Sequence, residues 1–149
     1  MLDAVSESTA PAGSQPTRSS AQTRRVAAID IGTNSTHLLV ASVDTTLGTF
    51  SIEQAEKSTT RLGERDPDSG ELTSAGMQRG YETLRRFRDL AISHDVEQIV
   101  TAATSAVREA PNGREFLQSI QDGLGMDVDL VSGPEEARLI YLGVLSGMS

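Results

Sequence analysis

Three short stretches concentrate the residue types that handle phosphate. The first, Ala28-Ile29-Asp30-Ile31-Gly32-Thr33-Asn34-Ser35, ends an apolar run on an aspartate and then turns. Gly32 lets the backbone approach an anion closely, and successive turn amides can converge on its oxygens. Thr33, Asn34 and Ser35 add short donors, while Asp30 suits a divalent cation held through water, because hard cations take oxygen ligands. The same residues would also serve a plain hairpin reversal. The second stretch, Ala103-Thr104-Ser105-Ala106-Val107-Arg108-Glu109-Ala110, sets small hydroxyl residues after an apolar strand, where open α/β sheets place ligands. Arg108 can fork onto phosphate oxygens; its alternative is a surface pair with Glu109 or Glu115. The third, Ser132-Gly133-Pro134-Glu135-Glu136-Ala137-Arg138-Leu139-Ile140, reads as the junction of a strand with a helix. Glu136, Ile140 and Gly143 share one helix face, so Glu136 or Glu135, not both, faces a cleft. Acidic residues at a helix start also complement its dipole without any further role.

These stretches need elements to hold them. Residues 26–31 and 36–43 read as strands flanking the first turn, with a third strand following a turn at 45–48 and running to about 59. Residues 61–70 are charged and carry Pro67 and Gly70, which makes them a loop. From 73 to about 94, Met77, Tyr81, Leu84, Phe87 and Ala91 recur at helical spacing, with Thr73 or Ser74 as N-cap. A buried strand at 96–103, a helix at 112–124 stopped by Gly125, a strand at 126–131 and a helix at 135–145 complete the order βββαβαβα. That order describes a mixed five-stranded sheet covered by helices, an α/β class, and matches the ribonuclease-H-like fold of the actin, sugar-kinase and heat-shock-chaperone superfamily. Residues 1–24 are rich in Ser, Thr, Ala, Pro and Gln and are expected to be a disordered tail; 25–149 form the folded domain.

Composition narrows the classes further. The chain has 149 residues, long enough for one domain with its own core, and a formal charge of −8 that disfavours a general nucleic-acid binder. It has no cysteine, which excludes disulfides, thiolate zinc sites and cysteine nucleophiles. No run approaches the length of a membrane helix and no signal-peptide pattern opens the chain, so no membrane partner and a cytoplasmic location are expected. His37, on a strand one residue past the first turn, and His94, at a helix end, need no catalytic role. Residues 66–71 look faintly like a calcium loop but read as a turn, Gly76 and Gly80 as a close-packing pair, and Arg85, Arg86 and Arg88 as a solvated face.

Taken in order, the three stretches resemble the Ppx/GppA family of exopolyphosphatases and guanosine pentaphosphate phosphohydrolases, over residues 26–148. Arg61-Leu62-Gly63-Glu64 adds to the resemblance. It implies two ribonuclease-H-like domains with the site in the cleft between them, and Mg²⁺-dependent hydrolysis of the terminal phosphoanhydride of inorganic polyphosphate or pppGpp. By the same resemblance Glu136 is the general base, Asp30, Gly32, Thr33, Asn34 and Ser35 form the phosphate loop, and Arg108 contacts the phosphate chain. A homodimer is a further implication for the full-length form. The family's second glycine-rich loop, just beyond the helix that carries Glu136, is not in this sequence. The expectation is therefore an N-terminal half, inactive alone. Two other classes stay open: a non-catalytic polyanion-binding or interaction module, and an ATP-binding relative of the sugar kinases.

Overall fold

The computed structural model describes residues 23–132. Strand β1 (Thr23–Ile31) pairs antiparallel with β2 (Ser35–Asp44), which pairs antiparallel with β3 (Thr49–Thr59). The long helix α1 (Ser74–Ser93) returns the chain to β4 (Gln98–Ala103), parallel to β1. Two helices, α2 (Ser105–Glu109) and α3 (Gly113–Leu124), lead to β5 (Val128–Leu130), parallel to β4. The sheet order is β3-β2-β1-β4-β5, so the meander forms one flank and the parallel strands the other. This is the expected mixed five-stranded sheet.

Several elements differ from the expected ones, β4 among them, which begins at Gln98 rather than 96. β1 begins at Thr23 rather than 26, so two residues assigned to the tail are strand. Ladder pairing of Thr23, Arg24 and Arg25 with Asp44, Val43 and Ser42 of β2 carries that extension, with the Arg25–Glu53 ion pair beside it, a long-range cause that composition does not reveal. The single-turn helix α2 is an addition to the expected order. One turn is too short to show periodicity, and its stability comes from contacts such as the Arg65 guanidinium donating to the Ala106 carbonyl at 2.9 Å. Strand β5 is three residues long, shorter than 126–131. The tail to residue 22 and the helix expected at 135–145 lie outside the described residues.

One sheet face carries the main core. Ile29, Ile31, Leu38 and Val40 meet Leu84, Phe87 and Ala91 of α1 and Phe116 and Ile120 of α3, all nearly or fully buried. Burying a side chain such as Phe87 contributes roughly 1.5–3 kcal/mol. α1 approaches closely because its inner face carries glycine: a Cβ on Gly80 would lie 3.0 Å from the Phe116 ring. Thr73 caps α1 by accepting from the Gly76 amide at 3.0 Å. On its outer face Arg85 pairs with Glu82 and Arg86 stacks over Phe87, as expected for a solvated surface. Arg88 departs from that expectation: it is partly buried, pairs with Asp89 and donates from Nη1 to the Leu124 carbonyl at 3.0 Å, tying α1 to the end of α3. His94 closes the helix and faces Glu53 at 3.4 Å. Residues 66–70 are a turn in which the Asp66 carboxylate accepts from the amides of Asp68 and Ser69.

Candidate functional site

Closing a hairpin on residues 32–35 places Ile31 opposite Thr36 and Asp30 opposite His37. The turn is tight: the Gly32 amide donates to the Ser35 carbonyl at 3.0 Å, and a Cβ on Gly32 would meet that carbonyl oxygen at 2.8 Å. Glycine is thus required by space, independently of any ligand. Thr33 and Asn34 are exposed, and neither side chain makes a hydrogen bond among the described residues. Their donors face outward, free for a ligand.

A second segment braces this turn. The amides of Thr60 and Arg61 both donate to the Asn34 carbonyl, at 3.1 and 3.0 Å, and the Gly63 amide donates to the Thr33 carbonyl at 2.9 Å. Thr36 and Thr60, both fully buried, share a hydroxyl hydrogen bond of 3.0 Å beneath it. Arg61 adopts φ +50°, a left-handed conformation uncommon for a residue with a Cβ. Arg79 of α1 holds the segment from behind by donating to the Thr60 carbonyl at 3.0 Å. The Arg61-Leu62-Gly63-Glu64 stretch is therefore a clamp on the turn. In the sequence this stretch stands out only through a resemblance, because clamps of this kind are made by backbone groups distant along the chain.

Asp30 sits at the carboxyl end of β1 on the face away from α1. Its Oδ1 is buried and has no hydrogen-bond partner among the described residues. Burial raises its carboxyl above the ordinary aspartate range, and the nearby His37 partly offsets that rise. An orphaned carboxylate oxygen beside an outward-facing turn fits a divalent cation. Mg²⁺ typically takes one or two carboxylates and fills its remaining positions with water and substrate phosphate oxygens. No group of three or more His, Cys, Asp or Glu able to hold a metal occurs among the described residues, so Asp30 would be one ligand of such a site.

The second stretch comes to the same carboxyl end of the parallel strands. The Thr104 amide and hydroxyl both point to the Ile31 carbonyl, at 3.2 and 3.4 Å, tying the end of β4 to the end of β1. Arg108 is turned toward β5: its Nη1 donates to the Val131 carbonyl at 2.7 Å, and its Nη2 lies 3.6 Å from Glu109. The pairing with Glu109 that the sequence allowed is present. Glu136, the third candidate, lies outside the described residues. Asp30, the turn and the end of β4 are thus brought together, while Arg108 is engaged in holding β5. His37, which needs no role on sequence grounds, stands beside Asp30 through the hairpin register.

The described residues thus form an α/β domain of ribonuclease-H-like fold, with a glycine turn after its first strand, an aspartate before that turn whose Oδ1 has no hydrogen-bond partner among the described residues, and a hydroxyl-rich strand end beside it. The sequence profile of the Ppx/GppA phosphatase family matches residues 39–149. The chain is a member of the Ppx/GppA phosphatase family. It is 34% identical over 121 residues to exopolyphosphatase 1 of Mycobacterium tuberculosis, which covers 80% of this chain and 35% of that protein. Among solved structures it is similar to the Aquifex aeolicus member of the family, with TM-score 0.73 and 31% identity over 82% of this chain and 39% of that one. An exopolyphosphatase from Cytophaga hutchinsonii gives TM-score 0.71 and 33% identity over 81% of this chain and 38% of its own. The chain therefore spans little more than a third of the length of these relatives. Among the described residues no helix is long and apolar enough to cross a membrane.

Proposed function

We propose that this chain forms the phosphate-gripping part of a hydrolase that releases the terminal phosphate of inorganic polyphosphate or pppGpp. The observation that carries this reading is the Asp30 Oδ1 atom, buried and without a hydrogen-bond partner among the described residues, next to a turn whose Thr33 and Asn34 donors face outward. A buried anionic oxygen left unpaired is costly, and a cation shared with phosphate oxygens offsets that cost.

In this reading the turn holds the terminal phosphoryl group with the amides and short side chains of Thr33 and Asn34, the Gly32 amide being kept by the Ser35 carbonyl. Mg²⁺, when bound at Asp30 with water, supplies positive charge to the phosphate oxygens. Arg108 keeps Val131 through Nη1 and turns Nη2 from Glu109 to the phosphate chain, which its fork of donors permits. Glu136 accepts the proton of an attacking water held in line with the leaving oxygen. Relatives that cover this chain with little more than a third of their length support a site completed by a second ribonuclease-H-like domain. We place the whole protein in the cytoplasm, where its phosphorylated substrates would be.

The test is orthophosphate release from long-chain polyphosphate with Mg²⁺, by the 149-residue chain and by a form extended through the downstream reading frame. Release is expected from the extended form alone, and Glu136→Gln there should lower it about 10²–10⁴-fold, the usual contribution of a general base. Unchanged turnover in Glu136→Gln would refute the assigned base. Hydrolysis by the 149-residue chain would refute the two-domain site.

A further inference from the structure

The register of the meander lines up charged residues that are far apart in sequence. Asp30 on β1 faces His37 on β2, and His37 faces Lys57 on β3. One row nearer the turn, Ser35 faces Thr59. Side chains two apart on a strand share a face, so Ser35 lies with His37 and Thr59 with Lys57. Their sequence neighbours point the other way: the Ser58 hydroxyl reaches Thr83 of α1 at 3.3 Å, and Leu38 is in the core. Asp30, Ser35, His37, Thr59 and Lys57 therefore form one patch on the face away from α1, beginning at the phosphate turn. Asp30 and Ser35 are partly buried and the other three are exposed.

Lys57 is the sole lysine of the chain, and among the described residues it makes no ion pair. Most described arginines are paired with a carboxylate. The sheet gains little from Lys57 where it stands, since its cross-strand neighbour is a histidine rather than an acid. Glu56 points to the opposite face, where Gln54 donates to it at 2.6 Å. Adjacent strands lie about 4.8 Å apart, so the ammonium stem starts roughly 10 Å from Asp30 across the sheet. A single phosphate at the turn would not reach it. A chain of phosphates would.

We propose that Thr59, His37 and Lys57 are a lane that receives the inner phosphates of a linear polyanion whose terminal phosphate lies in the Gly32–Ser35 turn. This rests on the reading of that turn as a phosphate site. Lys57 is the specificity-determining residue of the lane: it favours long phosphate chains over short ones without touching the terminal group. The competing role for an exposed lysine on an edge strand is to keep other strands from pairing with that edge.

The experiment measures dissociation constants of the full 149-residue chain for long-chain polyphosphate and for pyrophosphate, each with Mg²⁺, by titration calorimetry. Lys57→Gln should weaken long-chain binding about fivefold, the order expected for one exposed charge on a polyanion, and leave pyrophosphate unchanged. Lys57→Arg should keep the wild-type preference, and Asn34→Ala, in the turn, should weaken both ligands. Wild-type affinity of Lys57→Gln for long chains, with loss in Asn34→Ala, overturns the lane and leaves the phosphate turn standing. Equal losses in Lys57→Gln and Lys57→Arg also overturn it, because the lysine then serves the strand edge. A wild-type chain that binds neither ligand refutes the phosphate turn itself, and the lane with it.

Discussion

Asp30 is where the local chemistry is most sensitive to pH. Burial raises its carboxyl above the ordinary aspartate range, with His37 opposing. A raised acid binds its proton more tightly in the native state than in the unfolded chain. Its stabilising contribution is full below the ordinary aspartate pKa and is lost as pH rises through the folded value. At neutral pH the ionised group therefore destabilises the metal-free fold. Asp30→Asn should melt a few degrees higher than wild type at pH 7 in a chelator, with the gap closing as the pH is lowered toward 4. Adding Mg²⁺ should raise the wild-type midpoint and leave Asp30→Asn unmoved. A lower midpoint for Asp30→Asn in the chelator would show that the carboxylate is held by the fold rather than strained by it.

At the scale of elements, the turn after β1 is shaped by its clamp. A Cβ on Gly63 would overlap the Thr33 Cγ2 methyl and lie 3.3 Å from the Thr33 carbonyl. Gly63→Ala should cost about 1–3 kcal/mol, as overpacking typically does, and weaken pyrophosphate binding with Mg²⁺. Thr33→Ser removes the overlapping methyl but keeps the hydroxyl, so the double variant should regain most of both losses. Denaturant melts and calorimetry on the two single variants and the double variant check this. An additive double variant would mean that the clamp does not act through Thr33. The helices were easier to anticipate than the clamp: α1 and α3 carry apolar residues at helical spacing, with Thr73 and Gly125 as end signals. α2 has one turn and no period to read.

For the whole molecule, a formal charge of −8 means that phosphate binding must come from a local site rather than from a general field. A ligand that binds only the native state stabilises it by about 2.7 kcal/mol at a hundredfold excess over its dissociation constant. Long-chain polyphosphate with Mg²⁺ should therefore raise the melting midpoint of the chain. Duplex DNA at the same phosphate concentration should not, since its phosphates are internal diesters on a stiff duplex and offer the turn almost no terminal phosphate. Equal shifts with both would indicate nonspecific polyanion binding and remove the case for a shaped site.

Much of this protein was legible from local pattern. The aspartate-glycine turn between two apolar runs, the helical period of 73–94 and the glycine stop at 125 follow from side-chain size, backbone freedom and periodicity, which act over a few residues. The pairing of Asp30 with His37 was also implied, since a four-residue turn leaves one register open. Other features required the sheet to close. Thr60–Gly63 meets the turn only because β3 runs back along β2, and Lys57 joins the patch only through the register set by a shift at Val40 and Ala41. Arg108 shows the difference most clearly. Its residue type made it a phosphate ligand or a surface pair, and only packing of β5 beside β4 gave it the Val131 carbonyl to hold. Local sequence determines which groups are available; the tertiary structure decides which of them are already satisfied and which, like Asp30 Oδ1, are left to bind something else.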